Sequence, residues 1–343
     1  VSRRSAVSRR SAVSRLRTQG GGPGRARTPR SRASARLAGV AAGLVADALL
    51  GEPPVRWHPV ARFGAAMAWA DRRWWRDSRV TGVVYAASGI GAGVASGAVL
   101  GRVLSPFGST AGAVALAAGG CSLREAAAEV AAALDHGDLG AAREGLRSLV
   151  GRQTSHLDAQ EVARAAVESV AENTTDAVVA TAWWGALGGA PGALGHRAGN
   201  TLDAMVGYRN ERYRRFGWAA ARADDVGAWP AARLTAVLVA LVRPTRIPAI
   251  WRAVRDGAGR HPSPNAGVSE AAVAGALGVR LGGANRYGDG IEVRPSLGHG
   301  RPPDPRDIAR VIRLQRDVTL ALAALATGGA WCLARAGRGG SSW

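Results

Sequence analysis

Two runs of this chain, residues 80–101 and 103–123, contain no charged side chain. An α-helix rises 1.5 Å per residue, so about 20 residues bridge the ~30 Å apolar core of a bilayer with every backbone group satisfied. Each run is long enough, and Arg102 with the Ser105-Pro106-Phe107-Gly108 turn joins them into a predicted hairpin of two spans. Further apolar runs lie at 37–50, 177–195, 226–242 and 318–334. The competing reading is a soluble protein with buried Ala- and Gly-rich helices, because those residues insert less readily than Leu or Ile. The sequence therefore predicts an all-α, polytopic helical membrane protein with amphipathic and re-entrant helices and long cytoplasmic loops, multi-pass in the cell membrane.

Charge bears on sidedness. The chain has no lysine, and its 45 arginines leave a net charge of +20. Eleven arginines fall in residues 1–36, which hold no acid, so the remainder carries +9. This segment repeats SRRSAV and continues through GGGPGRARTPRSR. It has too little apolar surface to offset its ordering entropy, so 1–36 is predicted to be a disordered basic tail. It reads as a dispensable extension or as an arm for anionic lipid or nucleic acid, and it does not have the pattern of a signal peptide. Residues 37–343 are predicted to form one helical, membrane-embedded domain. Segments 52–79, 124–176, 196–225 and 243–317 each carry several arginines, whereas the turn at 102–108 carries only Arg102. The positive-inside rule places all four on the cytoplasmic side. That parity requires 177–195 not to cross, and Gly188-Gly189-Ala190-Pro191-Gly192 within it predicts a broken, re-entrant element lining a polar cavity. The run 37–50, short and interrupted by Asp47, reads as a second re-entrant element. Trp57, Trp69, Trp74 and Trp75 among five nearby arginines predict a helix at the headgroup level. Cys121 and Cys332 sit far apart in apolar runs and are expected to be buried, with no disulfide framework or metal spacing.

The absence of lysine excludes a Walker A loop, a pyridoxal Schiff base and an adenylated lysine. Any nucleotide site must rely on arginines, helix N-termini and metal-bound carboxylates. Candidates concentrate between residues 149 and 229. From Asp158 the pattern is helical, opening with Asp158-x-x-Glu161 as a capping box. Arg164, Glu168 and Glu172 recur every four residues on one face, and Asp176 follows beyond Asn173. Such carboxylates suit a magnesium ion that also binds nucleotide phosphate; the plain alternative is an exposed ladder in which Arg164 pairs with Glu168. Arg197, Asn200 and Asp203 share a second helical face. The stretch from Tyr208 and Asn210 to Arg215 packs Arg209, Arg212, Arg214 and Arg215 together, a composition that fits phosphate or carboxylate recognition or else a solvated loop. Asp224-Asp225 adds a second acidic pair. Pro- and Gly-rich loops at 261–267 and 281–288 are expected to present His261, Asn265 and Arg286, although a lone histidine is more often structural. Glu52-Pro53-Pro54 with His58-Pro59 reads as another rigid loop.

The strings GEPPVRWHPV, VGRQTSHLD, AAVESVAENTTD, GGAPGALGHRAGNTLDAMVGYRNERYRRFGWAAARADD and HPSPNAGVSEAAVAGALGVRLGG, in that order, resemble the adenosylcobinamide-phosphate synthase family of cobalamin biosynthesis, CobD/CbiB. The resemblance covers about residues 38–335. Ala177, Thr181 and Gly199 depart from its usual pattern, at positions that touch backbone geometry rather than charge. It implies a multi-pass ligase that forms an amide between the free propionate of adenosylcobyric acid and aminopropanol or its O-phosphate. ATP and Mg2+ are expected as co-substrates, without a tightly bound prosthetic group. Within the matching motifs, the expected catalytic residues are Glu168, Glu172, Asp176, Asn200 and Asp203. The expected substrate or phosphate ligands are Arg152, Asn173, Arg197, Tyr208, Asn210, Arg212, Arg215, His261 and Asn265. Glu172, Asp176, Asp224 and Asp225 are the expected metal ligands. Expected partners are the corrinoid, the amine, membrane lipid and later enzymes of nucleotide-loop assembly, with no nucleic acid. A transporter of a corrinoid or other anionic small molecule is the alternative, because polar groups around a broken membrane segment also describe a substrate pathway.

Overall fold

The computed structural model describes residues 28–51, 58–151, 153–208, 210–287 and 290–338. In chain order the helices are α1 (Pro29–Leu50), α2 (Pro59–Trp74), α3 (Arg79–Val103), α4 (Pro106–Ala117), α5 (Gly120–Asp135) and α6 (Leu139–Leu146). Then come α7 (Ala159–Asn173), α8 (Ala180–Val206), α9 (Trp218–Val242), α10 (Ile247–Gly257), α11 (Ala266–Leu277) and α12 (Pro305–Arg338). Strands β1 (Leu281–Tyr287) and β2 (Gly290–Leu297) form one antiparallel hairpin before α12. The protein is thus an all-α polytopic membrane protein in class, and α1, α3, α9 and α12 have the length and apolar composition to cross a bilayer.

The placement of these helices follows from α8, which is two arms rather than one rod. Gly189 (φ 65°, ψ −149°) adopts a backbone that side chains disfavour, and Pro191 lacks an amide donor, so the helix cannot continue through this point. The chain folds back there. Gly192 presses on the Trp184 carbonyl so closely that a Cβ would stand 2.2 Å from the oxygen. Further from the tip, His196 Nε2 lies 3.0 Å from the carbonyl of Asp176, in the turn that leads into the first arm. The re-entrant element read from the GGAPG string is therefore present.

Contacts at the tip orient the long helices. Arg36 on α1 donates to the Leu187 carbonyl at 2.6 Å, and Gly97 on α3 abuts Ala190 and Pro191. At the other end of the bundle, Asp47 on α1, Gly120 on α5 and Gln315 on α12 meet, and Gly82 on α3 rests on Phe216. The polar helices α5, α6, α7 and α10 and the β hairpin are built out from this second end. Surrounded by them, α11 is buried at every residue, as expected for a helix that is apolar all round. Both ends of α9 attach to this same end: it follows Phe216, and Arg243, just past its last turn, pairs with Asp317 at 2.8 Å. Segments 196–225 and 243–317 thus meet at this same end of the bundle.

Four expectations need correction. The run 37–50 is not a short re-entrant piece. Thr28 caps the helix by accepting from the Ser31 amide, Pro29 starts it, and α1 runs 22 residues alongside α12, where Ser34 bonds the Ala330 carbonyl. Residues 29–36 are therefore helical and belong to the fold, while 1–27 lie outside the described residues. The second uncharged run is not one span, because Gly119 (φ 63°) ends α4 after 12 residues and redirects the chain into α5. The stretch 281–287, read as a loop, is strand β1, with a register irregularity at Leu281–Gly283. Cys121 is partly exposed and Cys332 exposed, since both lie on outward faces of their helices rather than in the core. The tryptophan-rich segment does form a surface helix, α2, with Trp69 and Trp74 exposed.

Glycines on α3 give a direct test of the hairpin contact. A Cβ at Gly97 would fall 2.4 Å from Pro191 N, whereas one at Gly91 would meet nothing within 4 Å. Gly97→Ala is expected to destabilise the detergent-purified protein by about 1–3 kcal/mol, the usual range for overpacking. Gly91→Ala is expected to be neutral or slightly stabilising. Thermal unfolding followed by tryptophan fluorescence separates the two, and equal melting temperatures would contradict the packing described.

Candidate active site

Helix α7 begins with the predicted capping box: Asp158 accepts from the Glu161 amide at 2.8 Å and Glu161 accepts from the Asp158 amide at 3.0 Å. Its end is less regular. Residues Thr174–Val179 form a π-helical turn between α7 and the first arm of α8. Thr174 Oγ1 donates to the Val170 carbonyl at 2.6 Å, and Thr175 Oγ1 donates to Thr235 Oγ1 on α9 at 3.0 Å. Single π turns widen a helix by one residue and recur at functional sites. Here the turn carries Asp176 off the line that Glu172 would set in an uninterrupted α-helix.

The result is an acidic cluster gathered from four elements. Glu172 ends α7, Asp176 sits in the π turn, Asp203 lies on the second arm of α8, and Asp224 and Asp225 open α9. Burial first, then the charges of Asp224, Glu172 and Asp203, hold the Asp176 carboxyl well above the usual carboxylate range, and Arg197 opposes them. Burial, followed by Asp225 and Glu172, pushes Asp203 from its ordinary 3.8 up to about 6. Asn200 bridges the cluster to Arg197: it accepts from Arg197 Nη1 at 3.1 Å and donates to Asp224 Oδ1 at 3.3 Å. His196 points its Nε2 at the Asp176 carbonyl, which can only accept, so that nitrogen carries the proton.

The loop at 261–265 joins this cluster through its backbone. Asn265 Nδ2 donates to the Asp225 carbonyl at 2.8 Å and Asn265 Oδ1 accepts from Arg233 at 3.2 Å. His261 turns inward: its Nδ1 accepts from the Ser263 amide, and its Nε2 stands 3.9 Å from Glu270 of buried α11. Beside the cluster, a cavity of about 560 Å³ opens between α3, the hairpin and α9. Its walls are mostly apolar, including Ile90, Val94, Trp184 and Pro191, with His196 and Asp224 as its polar corner.

Several expected site residues stand elsewhere. Glu168 is 4% exposed and accepts from the Gly282 amide at 2.8 Å, while Arg164 bonds the Gly282 carbonyl. The two side chains clamp one residue of β1, and Glu168 is buried rather than part of an exposed ladder. Asn173 folds back to the Ser169 carbonyl. Asn210 caps its own turn by accepting from the Tyr213 amide. Arg212 pairs with Asp71 and stacks on Trp75, and Arg215 pairs with Asp77, so both serve the corner between α2 and α3. Tyr208 is exposed, its hydroxyl next to Gly151. Arg152, Arg209 and Glu52–Pro54 lie outside the described residues, as does the side chain of Arg286. Two side chains near the chemistry were missed. His196 became visible only when the arms folded together. Glu270 had a usable signal, since it is the lone acid in the otherwise apolar run Ala266–Leu277.

No three His, Cys, Asp or Glu side chains among the described residues converge as a ready-made metal site. The donor set nevertheless suits a hard cation: oxygen ligands in electrostatic excess over Arg197. A magnesium ion that takes one or two carboxylates and completes its shell with water and phosphate fits this arrangement. Glu172, Asp176, Asp203 and Asp224 are the residues that would hold it.

Comparison with known proteins places this geometry. The family model described as CobD/Cbib protein matches residues 40–315. The chain belongs to the CobD/CbiB family. A cobalamin biosynthesis protein CobD of Mycobacterium tuberculosis is 47% identical over 297 residues, covering 85% of this chain and 95% of that protein. Proteins of the same description from Chromobacterium violaceum and Pelobacter propionicus are 44% and 39% identical, over 79% and 83% of this chain and 89% and 93% of their own lengths. No solved structure matches the chain. The span shared with CobD/CbiB proteins contains every member of the acidic cluster.

The cluster has a titration signature. An acid whose folded value is raised adds stability that is fully present below its unfolded value and is lost as pH rises through the folded one. For Asp203 that window runs from 3.8 to about 6. The metal-free protein is expected to melt at progressively lower temperature across this interval, with Asp176 acting in the same direction. Asp203→Asn should flatten the slope, and an unchanged slope in melting curves between pH 4 and 7 would exclude a buried, repelled Asp203.

Proposed function

We propose that this CobD/CbiB protein is an enzyme of cobalamin biosynthesis, acting at the cell membrane as an acid–amine ligase. Its substrates would be adenosylcobyric acid, aminopropanol or its O-phosphate, and Mg-ATP. The observation that carries this reading is the carboxylate cluster at the base of a re-entrant hairpin, in a family whose relatives are called cobalamin biosynthesis proteins. Carboxylates that repel one another attract a divalent cation together with the phosphates it accompanies. Bound magnesium would neutralise and orient the nucleotide phosphates.

The chain's own residues then have distinct tasks. Arg197, fixed by Asn200, stabilises charge on the phosphoryl group as it passes from ATP to the propionate oxygen, leaving ADP and an acyl phosphate. The amine attacks the acyl carbon, phosphate departs, and the amide forms. Glu172 accepts the proton that the amine nitrogen loses. The apolar cavity beside Asp224 excludes water, which would otherwise hydrolyse the acyl phosphate. Glu168 is assigned a positioning rather than a chemical role, because its Oε1 accepts from the Gly282 amide.

Membranes carrying the protein are expected to convert adenosylcobyric acid and aminopropanol phosphate to adenosylcobinamide phosphate only when Mg-ATP is present, as read by mass spectrometry. Glu172→Gln should lower the rate about 10²- to 10⁴-fold, the usual contribution of a general base. Glu168→Gln keeps an acceptor for the Gly282 amide and should stay within about tenfold of wild type, a structural rather than a chemical effect. Product from Glu172→Gln at the wild-type rate would remove Glu172 from the chemistry. Absence of product with either amine, from folded wild type, would overturn the ligase assignment in favour of transport.

A further inference from the structure

At the end of α9 remote from the acidic cluster, four arginines line a cavity of about 370 Å³: Arg243, Arg246, Arg310 and Arg313, above a floor of Ala276 and Leu277. Eighteen residues of helix separate Asp225 from Arg243, roughly 27 Å at 1.5 Å per residue, so this cavity is not part of the cluster. The geometry points to a phosphate-binding pocket that takes the headgroup phosphate of an anionic phospholipid.

The charge balance comes first. Three carboxylates serve four arginines around this pocket: Asp317 is shared by Arg243 and Arg316, Asp307 by Arg301 and Arg310, and Asp304 also pairs with Arg301. Arg246 and Arg313 have no acidic partner among the described residues, and both are exposed to the cavity side of the surface. The pocket therefore carries an uncompensated positive charge.

The guanidiniums are also held in place. Arg310 donates from Nη2 to the Leu277 carbonyl at 2.7 Å, and Arg246 donates from Nη2 to the Gly275 carbonyl at 3.3 Å. The last turn of α11 thus fixes two of the four forks. Gly278, in the left-handed region at φ 71°, makes room for one of them, since a Cβ there would stand 2.6 Å from Arg246 Nη2. Fixed planar forks suit the tetrahedral oxygens of phosphate, and less entropy is lost when they bind it.

Location selects the source of the phosphate. Large apolar side chains are exposed within one or two turns of these arginines on three helices: Val237 and Leu241 on α9, Ile247 and Trp251 on α10, and Leu320 on α12. Leu320 lies seven residues after Arg313, on the same helical face. Water would leave that surface uncovered, whereas acyl chains would cover it. An arginine pocket bordered by an apolar belt is the arrangement that basic headgroup sites at the membrane surface require. A soluble phosphate would need only the arginines.

The test uses the full chain in a neutral detergent, titrated separately with phosphatidylglycerol, phosphatidylcholine of matched acyl length, inorganic phosphate and pyrophosphate. Melting temperature by tryptophan fluorescence is the readout. Phosphatidylglycerol is expected to raise it saturably, and phosphatidylcholine is not. In Arg246→Ala/Arg313→Ala the half-saturating concentration should rise at least about tenfold, consistent with loss of charge-assisted hydrogen bonds. Arg335→Ala, at the hairpin-tip end, should leave it unchanged. Should the double variant fail to fold, Arg313→Glu tests the same pocket through an exposed side chain with no partner to lose. Equal half-saturation in wild type and variants would overturn the proposal. Protection by inorganic phosphate or pyrophosphate at concentrations matching the lipid would overturn the lipid assignment.

Discussion

A chain that turns back within an apolar layer must hide every peptide group it would otherwise show to lipid. In this protein the turn is made by Gly189 and Pro191, and its concealment depends on how closely the two arms approach. Gly192 against the Trp184 carbonyl and Gly97 against Ala190 leave no room for a methyl group at either contact. Small residues allow close approach of backbones where hydrophobic burial alone gives little drive for helix association. Everything else takes its place from this contact: α1 and α3 are aligned by touching the tip, and the polar helices assemble around the open base.

That base is poor in stabilising electrostatics. Asp176 and Asp203 are displaced from their ordinary ionisation by burial and by neighbouring carboxylates, with Arg197 opposing the shift at Asp176. A sequence selected for stability alone would place neutral or complementary groups there. Local conflict of this kind, within an otherwise consistent fold, is characteristic of functional sites. The scaffold compensates elsewhere, through the close packing of the largely apolar α11, the capping box of α7 and the double clamp of Arg164 and Glu168 on Gly282.

Much of this was legible in the sequence because it depended on local chemistry. The Asp158/Glu161 capping box and the GGAPG break need only neighbours a few positions away. The long motifs identified the family as well, since they run in order through most of the chain. What escaped depended on contacts distant in sequence. Thr28 and Pro29 start α1 inside a segment whose composition reads as disordered, and that helix persists because α12 lies beside it. Glu168 shares a face with Glu172 by spacing, yet it answers to a backbone amide 114 residues away. Arg212 and Arg215 look like isolated anion ligands in the sequence, whereas the fold sets them beside Asp71 and Asp77. The π turn at Thr174–Val179 breaks the periodicity from which the alignment of Glu172 and Asp176 was inferred, and no residue type marks it in advance.

The attachment of both ends of α9 to one end of the bundle has an energetic corollary. Hydropathy alone would send α9 across the bilayer and part Asp225 from Asn265, yet the Asn265 side chain bonds the Asp225 carbonyl at 2.8 Å. The start of α9 and the 261–265 loop therefore belong to one polar layer. A charge carried across a membrane potential changes in energy by about 2.3 kcal/mol for each 100 mV. A proton exchanged between groups this close together would traverse almost none of that field.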